Sequence, residues 1–125
     1  MKNNIVKNKS FEFAIRIVKL YQYLSNDKKE FILSKQLLRS GTSIGAMIRE
    51  AEHAESKSDF IHKFAIAQKE ANEVIYWLEL LKATDYLNQK EFENINNDAV
   101  SILKLITSII KTSKSQLSKS RLLPN

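Results

Sequence analysis

A chain of 125 residues is long enough for one domain that buries roughly two thirds of the surface its unfolded form exposes. Two glycines and one proline are too few for the turns of a sheet protein, the lack of cysteine excludes disulfides and thiolate metal sites, and no apolar run reaches the 18 residues of a membrane span. The net charge of +6 splits into +7 over residues 1–49, −6 over residues 50–98 and +5 over residues 99–125, where five cations face no acid at all.

The composition predicts few, long helices. Helix 1 is read over 10–24, with Ser10 as N-cap and Ala14, Ile17, Tyr21 and Leu24 spaced 3, 4, 3. SNDKKE breaks the pattern. Helix 2 is read over 31–56, through Leu37, Gly41, Ile44, Ile48 and Ala51, a rod of ~39 Å. Helix 3, over 58–84, carries the unbroken seam Phe60, Phe64, Ala67, Ala71, Val74, Leu78, Leu81, and Ser56 with Asp59 approximates a capping box at its start. Helix 4, over 89–112, opens on Asn88 capping with Glu91 reaching back and Leu87 stapled to Phe92. Its stripe runs Phe92, Ile95, Ala99, Ile102, Ile106, Ile109; residues 113–125 lose period and read as a mobile basic tail.

Four amphipathic helices on short connections predict an all-α fold, an up-down-up-down antiparallel four-helix bundle in a single domain. Helices 1 and 4 are then antiparallel neighbours. Lys2, Lys7 and Lys9 at the start of the chain should share one pole with Lys111, Lys114, Lys119 and Arg121 at its end.

Both glycines fall inside helix 2, one turn apart. Each costs about 1 kcal/mol against alanine there, so close helix approach or a bend must compensate. A phosphate-cradling loop is the functional alternative, but it needs a preceding strand and Lys-Ser/Thr after the last glycine, whereas Gly45 is followed by Ala46 and Met47.

This stretch resembles the four-helix bundle proteins encoded within intervening sequences of bacterial 23S ribosomal RNA genes. The matching residues are QLLRS (36–40), GTSIG (41–45), IREAEHAE (48–55), SDFIH (58–62) and KEANEVIYWLELL (69–81). Many relatives carry proline where this chain has Gly45 and asparagine where it has Met47. The resemblance implies a left-handed up-down bundle that assembles into a homo-oligomer, a ring of five. It implies no settled biochemical activity.

Assembly is also suggested by apolar residues outside the seams: Tyr76, Trp77 and Leu80 on helix 3, Leu103, Leu105 and Ile110 on helix 4, and Phe11, Phe13, Ile15 and Leu20 on helix 1. Of these, Tyr76, Trp77, Leu80, Leu103 and Ile110 are the interface candidates.

Three chemistries are weighed. Glu50-x-x-His53 and Asp59-x-x-His62 have the spacing of di-iron bundle ligands, but both flank one turn near a pole and no mid-core carboxylate faces them from helices 1 and 4, so no metal or other cofactor is expected. Ser40, Thr42 and Ser43 with His53 make no nucleophile set, since Ser43 and His53 lie ~15 Å apart along one rod; these hydroxyls are expected to bond the preceding turn's carbonyls. Glu70, Glu73 and Lys69 read as exposed charges, and Glu50 as a structural partner for Arg49 or Lys69.

What remains is the basic charge. Lys2, Lys7, Lys9, Arg16, Lys19, Lys111, Lys114, Lys119 and Arg121 are the candidate phosphate contacts of a cytoplasmic, non-enzymatic oligomer that binds nucleic acid, structured RNA foremost. The alternative is an adaptor whose apolar and acidic surfaces recruit a protein, with the basic charge serving solubility. Neither reading expects a membrane or a small-molecule substrate.

Overall fold

A computed structural model describes residues 2–122. Four helices, α1 (Lys2–Asn26), α2 (Leu33–Ala51), α3 (Lys57–Ala83) and α4 (Gln89–Leu122), pack as α1 on α2, α2 on α3, α3 on α4 and α4 back on α1, the last pair least closely. Among the described residues there is no strand. The core is Val6, Phe13, Ile17 and Leu24 from α1, Leu37, Ile44 and Ile48 from α2, the α3 seam from Phe64 to Leu81, and Ile95, Ala99, Ile102, Ile106 and Ile109 from α4.

α1 begins at least eight residues before the predicted start. Ser10 is no cap: it is buried within the helix, and its hydroxyl donates to the Lys7 carbonyl at 2.9 Å. Its small side chain lies 3.3 Å from the position a Cβ on Gly45 would take. At Gly41 the added carbon would lie 2.7 Å and 2.8 Å from the two γ carbons of the fully buried Ile17. Both glycines therefore face α1, and close approach, the first of the two expected reasons, accounts for them.

α2 is shorter than the predicted 31–56 at both ends. Its start is set by Glu30, whose carboxylate accepts from the backbone amides of Ile32, Leu33 and Ser34 at 3.2, 3.0 and 2.7 Å, while the Ser34 hydroxyl donates back to the Glu30 carbonyl at 2.8 Å. These amides would otherwise lack partners in the first turn. Burial alone would raise the Glu30 pKa, but the backbone amides together hold it below the ordinary value. At the far end, Ser56 must be extended (φ −155°, ψ 167°) to cap α3, accepting from Asp59 N at 3.0 Å, and this ends the helical path.

The caps expected for α4 are present: Glu91 N donates to Asn88 Oδ1 at 2.8 Å and Asn88 N to Glu91 Oε1 at 2.9 Å. The predicted tail is not a tail. α4 continues through Leu122, because residues 113–122 contain neither glycine nor proline, Ser113 stays on the buried face, and Lys119 and Arg121 in the last turn suit the negative end of the helix dipole. Residues 123–125 of that stretch lie outside the described residues.

Candidate nucleic-acid interface

The antiparallel α1/α4 pair does bring the two basic ends to one pole. Asn3 on α1 shares a groove with Thr112, Ser113 and Gln116 near the end of α4, and the same residue borders Glu52 and Ser56 of the α2–α3 turn. That second neighbourhood matters electrostatically. The acidic turn lies at the same pole, so Lys7 Nζ sits 2.9 Å from Glu52 Oε1 and Lys63 Nζ sits 3.3 Å from Glu50 Oε1. The Lys7 ammonium, which bonds to the Glu52 carboxylate, holds its pKa below the ordinary value.

The predicted phosphate contacts therefore divide. Lys7 is engaged by Glu52, and Arg16 is held by both Asp98 and Asn94 of α4. Lys9, Lys19, Lys111, Lys114, Lys119 and Arg121 are exposed, with no carboxylate partner among the described residues. The Lys2 side chain lies outside the described part. Two further cations on α4, Lys90 and Lys104, were not among the predicted contacts. Lys90, Lys104 and Lys111 are exposed and fall on one seven-residue spacing of α4, a line of ~32 Å that drifts only slowly round the helix. Lys90 shares a groove with Arg16 and Lys19, and Lys9 lines a second groove with Asp98 and Ser101, so cations from both helices border the loosely packed α1/α4 face. Seven-residue spacing inside the predicted helix 89–112 is the signal that could have found them.

Other assignments are corrected by burial. Ile110 is 7% exposed and part of the protomer's own core, so it cannot be an outward contact; the longer α4 turns both Ile109 and Ile110 inward. Trp77 and Leu103 are half-buried against that core, and Leu80 is half-buried, whereas Tyr76 is 57% exposed. Phe13 is likewise core. The open apolar surface is on α1 instead, where Phe11, Ile15 and Val18 follow a 4-3 spacing, and in the α1–α2 connection, where Phe31 and Ile32 are exposed.

Glu70 is not the exposed charge the sequence suggested. It is buried, with Arg39 Nη1 3.1 Å from its Oε2 while Arg39 Nη2 reaches Glu73 Oε1 at 3.1 Å. Burial, with the Glu73 carboxyl alongside, pushes the Glu70 pKa up despite Arg39. Glu50 pairs with Lys63 rather than Arg49 or Lys69. His53 and His62 are exposed, and no group of three or more His, Asp or Glu that could hold a metal ion occurs among the described residues. Ser40, Thr42 and Ser43 donate to the carbonyls of Gln36, Leu38 and Arg39 at 2.9, 2.8 and 2.6 Å. No described helix is long and apolar enough to cross a membrane.

The class of protein this defines is an all-α four-helix bundle with a cationic α1/α4 face and an apolar outer stripe on α1. A family model described as 23S rRNA-intervening sequence protein matches residues 2–108, and the chain belongs to that family. Lys111 and the cations after it lie beyond the matched residues. Among solved structures, the chain is similar to a protein of unknown function from the S23 ribosomal protein family of Bacteroides thetaiotaomicron VPI-5482, with 63% identity, 89% of this chain and 99% of that chain covered, and a TM-score of 0.88. No curated protein matches. Neither the family description nor that structure indicates an enzyme.

Proposed function

We propose that this chain is a non-enzymatic, cytoplasmic homo-oligomer that binds structured RNA across its α1/α4 face. The observation that carries the reading is the pair of cationic grooves where α1 meets α4, Lys19 and Lys90 on one and Lys9 on the other, with the exposed Lys104 and Lys111 further along α4; none of these lysines has a carboxylate partner among the described residues. After Asp98 the rest of the chain has no acid to oppose a phosphate. Cations so placed release condensed counterions on binding, giving affinity that falls steeply with salt. The acidic α2–α3 turn at one pole repels the same polyanion, which confines it to the α1/α4 side.

Fluorescence anisotropy with an RNA hairpin and a DNA duplex at rising salt tests this. Replacing Lys104 and Lys111 with alanine should weaken binding and lower the log–log salt slope on duplex DNA by about 1.8, at roughly 0.9 per phosphate contact. Lys7→Ala, whose cation is already engaged by Glu52, should change little. No binding at about 50 mM salt removes the proposal.

Copies of the chain would meet through the α1 stripe of Phe11, Ile15 and Val18, and repetition of the cationic face by symmetry would add avidity. The ring of five implied by the family resemblance predicts a fivefold solution mass. The same stripe favours the second reading, an adaptor that recruits a protein. Partners that survive nuclease treatment in a pull-down support the adaptor, and partners that vanish support RNA.

A further inference from the structure

The α1/α4 face is not uniformly polar. Where the two helices part, a groove of about 460 Å³ opens, of a size ordinary for small-ligand sites. Its apolar surface comes from Leu20 and Tyr23 of α1, Ile95 of α4, and Leu87 just ahead of α4. Lys19 borders it from α1 and Lys90 from α4, so an unpaired cation stands on each wall. A third, Lys28, stands with its Nζ over one face of the Tyr23 ring, 5.8 Å from the centroid, so a base would stack on the other face.

The polar groups of the groove are otherwise spoken for. Arg16 is neutralised by Asp98 and held by Asn94 Oδ1, and Glu91 accepts the Asn88 amide. These bonds tie the walls to each other and to the α4 cap without using Lys19 or Lys90. A groove lined by an aromatic ring and by cations from both helices, with Glu91 as its one carboxylate outside any ion pair among the described residues, suits one repeat of a polynucleotide, an apolar base with a phosphate on each side along the backbone. A lipid anion, with one charged head at the end of a long chain, would leave one wall's cation unmatched.

We infer that this groove receives a single unpaired nucleobase, stacked against Tyr23, with its flanking phosphates on Lys19 and Lys90. The inference rests on the RNA-binding reading and deepens it: the preferred substrate is RNA that presents an unstacked nucleotide in a loop or bulge, the form in which bases are accessible to aromatic side chains. The groove opens at the Lys90 end of the lysine line, so a strand running along α4 would lead one base to it.

The test compares a ten-nucleotide uridine strand with a fully paired RNA duplex, using Tyr23→Ala, Tyr23→Phe and the Lys104→Ala/Lys111→Ala double variant, with helicity checked by circular dichroism. Tyr23→Ala should weaken the single strand about tenfold and leave the duplex unchanged, because stacking on an aromatic ring acts only on an exposed base. Tyr23→Phe should restore it. A strand carrying 4-thiouridine should crosslink within residues 16–23 or 87–95. If both nucleic acids bind and Tyr23→Ala weakens neither, the base site is refuted while the cationic face stands. If neither binds the wild-type chain, both readings fall. Saturable binding to anionic phospholipid vesicles that blocks crosslinking, without a Tyr23-dependent strand affinity, overturns the base in favour of a lipid.

Discussion

Gly41 and Gly45 are chemically identical positions one turn apart on α2, yet alanine should move stability in opposite directions. In a helix interior the change from glycine alone gains about 1 kcal/mol. At Gly41 the new carbon would sit 2.7 and 2.8 Å from the γ carbons of Ile17, which is fully buried and has nowhere to turn. Overpacking of this kind costs typically about 1–3 kcal/mol. The expected net is a loss of up to about 2 kcal/mol, or up to about 8 °C in Tm for a chain of this size. At Gly45 the nearest atom is the Ser10 hydroxyl at 3.3 Å, with backbone next at 3.6 Å, so a small hydroxyl shift admits the methyl and alanine should stabilise by about 0.5–1 kcal/mol. Chemical denaturation of both variants reads the two signs directly. A double-mutant cycle of Gly41→Ala with Ile17→Ala should show a favourable coupling of about 1 kcal/mol or more, since the smaller residue 17 accommodates the added carbon. A Gly41→Ala protein more stable than the parent by about 1 kcal/mol, the full helix gain with no overpacking cost, would refute the close-approach account of the glycine pair.

Three further variants have defined outcomes, two of them at charged groups. Glu30→Gln should destabilise by about 1–2 kcal/mol by weakening the acceptor for three first-turn amides. Because the folded Glu30 pKa lies below its ordinary 4.5, the wild-type advantage over this variant is fully present above that value and disappears as pH falls through the lower folded one; a pH series of urea melts checks it. Arg39→Ala should cost about 1–3 kcal/mol at pH 7 by stripping the partner from buried Glu70. For Glu70 the sign is reversed: its pKa is raised, its charged form is a liability above that pKa, and the Arg39→Ala deficit should shrink as pH is lowered through it. Finally, Phe11→Ser with Ile15→Ser should leave the core intact while reducing the solution mass towards that of a single chain, since neither side chain belongs to the buried core, although Phe11 gives up its contact with Arg49.

Much of the architecture was legible in local pattern. The α3 seam and the Asn88–Glu91 box state helix type and start by chemistry that acts within a few residues, and they appear where spacing put them. The errors share a cause. Ser10 and residues 113–122 are polar segments whose helicity is decided by what they pack beside or by the absence of a breaker, and a serine on an inward face looks in sequence like a cap or a loop. Glu30 escaped notice as a cap although its amide partners lie only two to four residues on, because glutamate is not one of the usual cap residues.

The sequence by itself determined four amphipathic rods, their order, and an unbalanced distribution of charge along the chain, because helix periodicity and capping are local and net charge is additive. Only the tertiary structure decided which cations are free. Folding brings the acidic α2–α3 turn against the first helix and so engages Lys7 with Glu52 from 45 positions away, ties Arg16 to Asp98 across α1 and α4, and buries Glu70 beside Arg39. Coulombic pairing depends on separation in space, and separation in space is what a linear pattern does not carry.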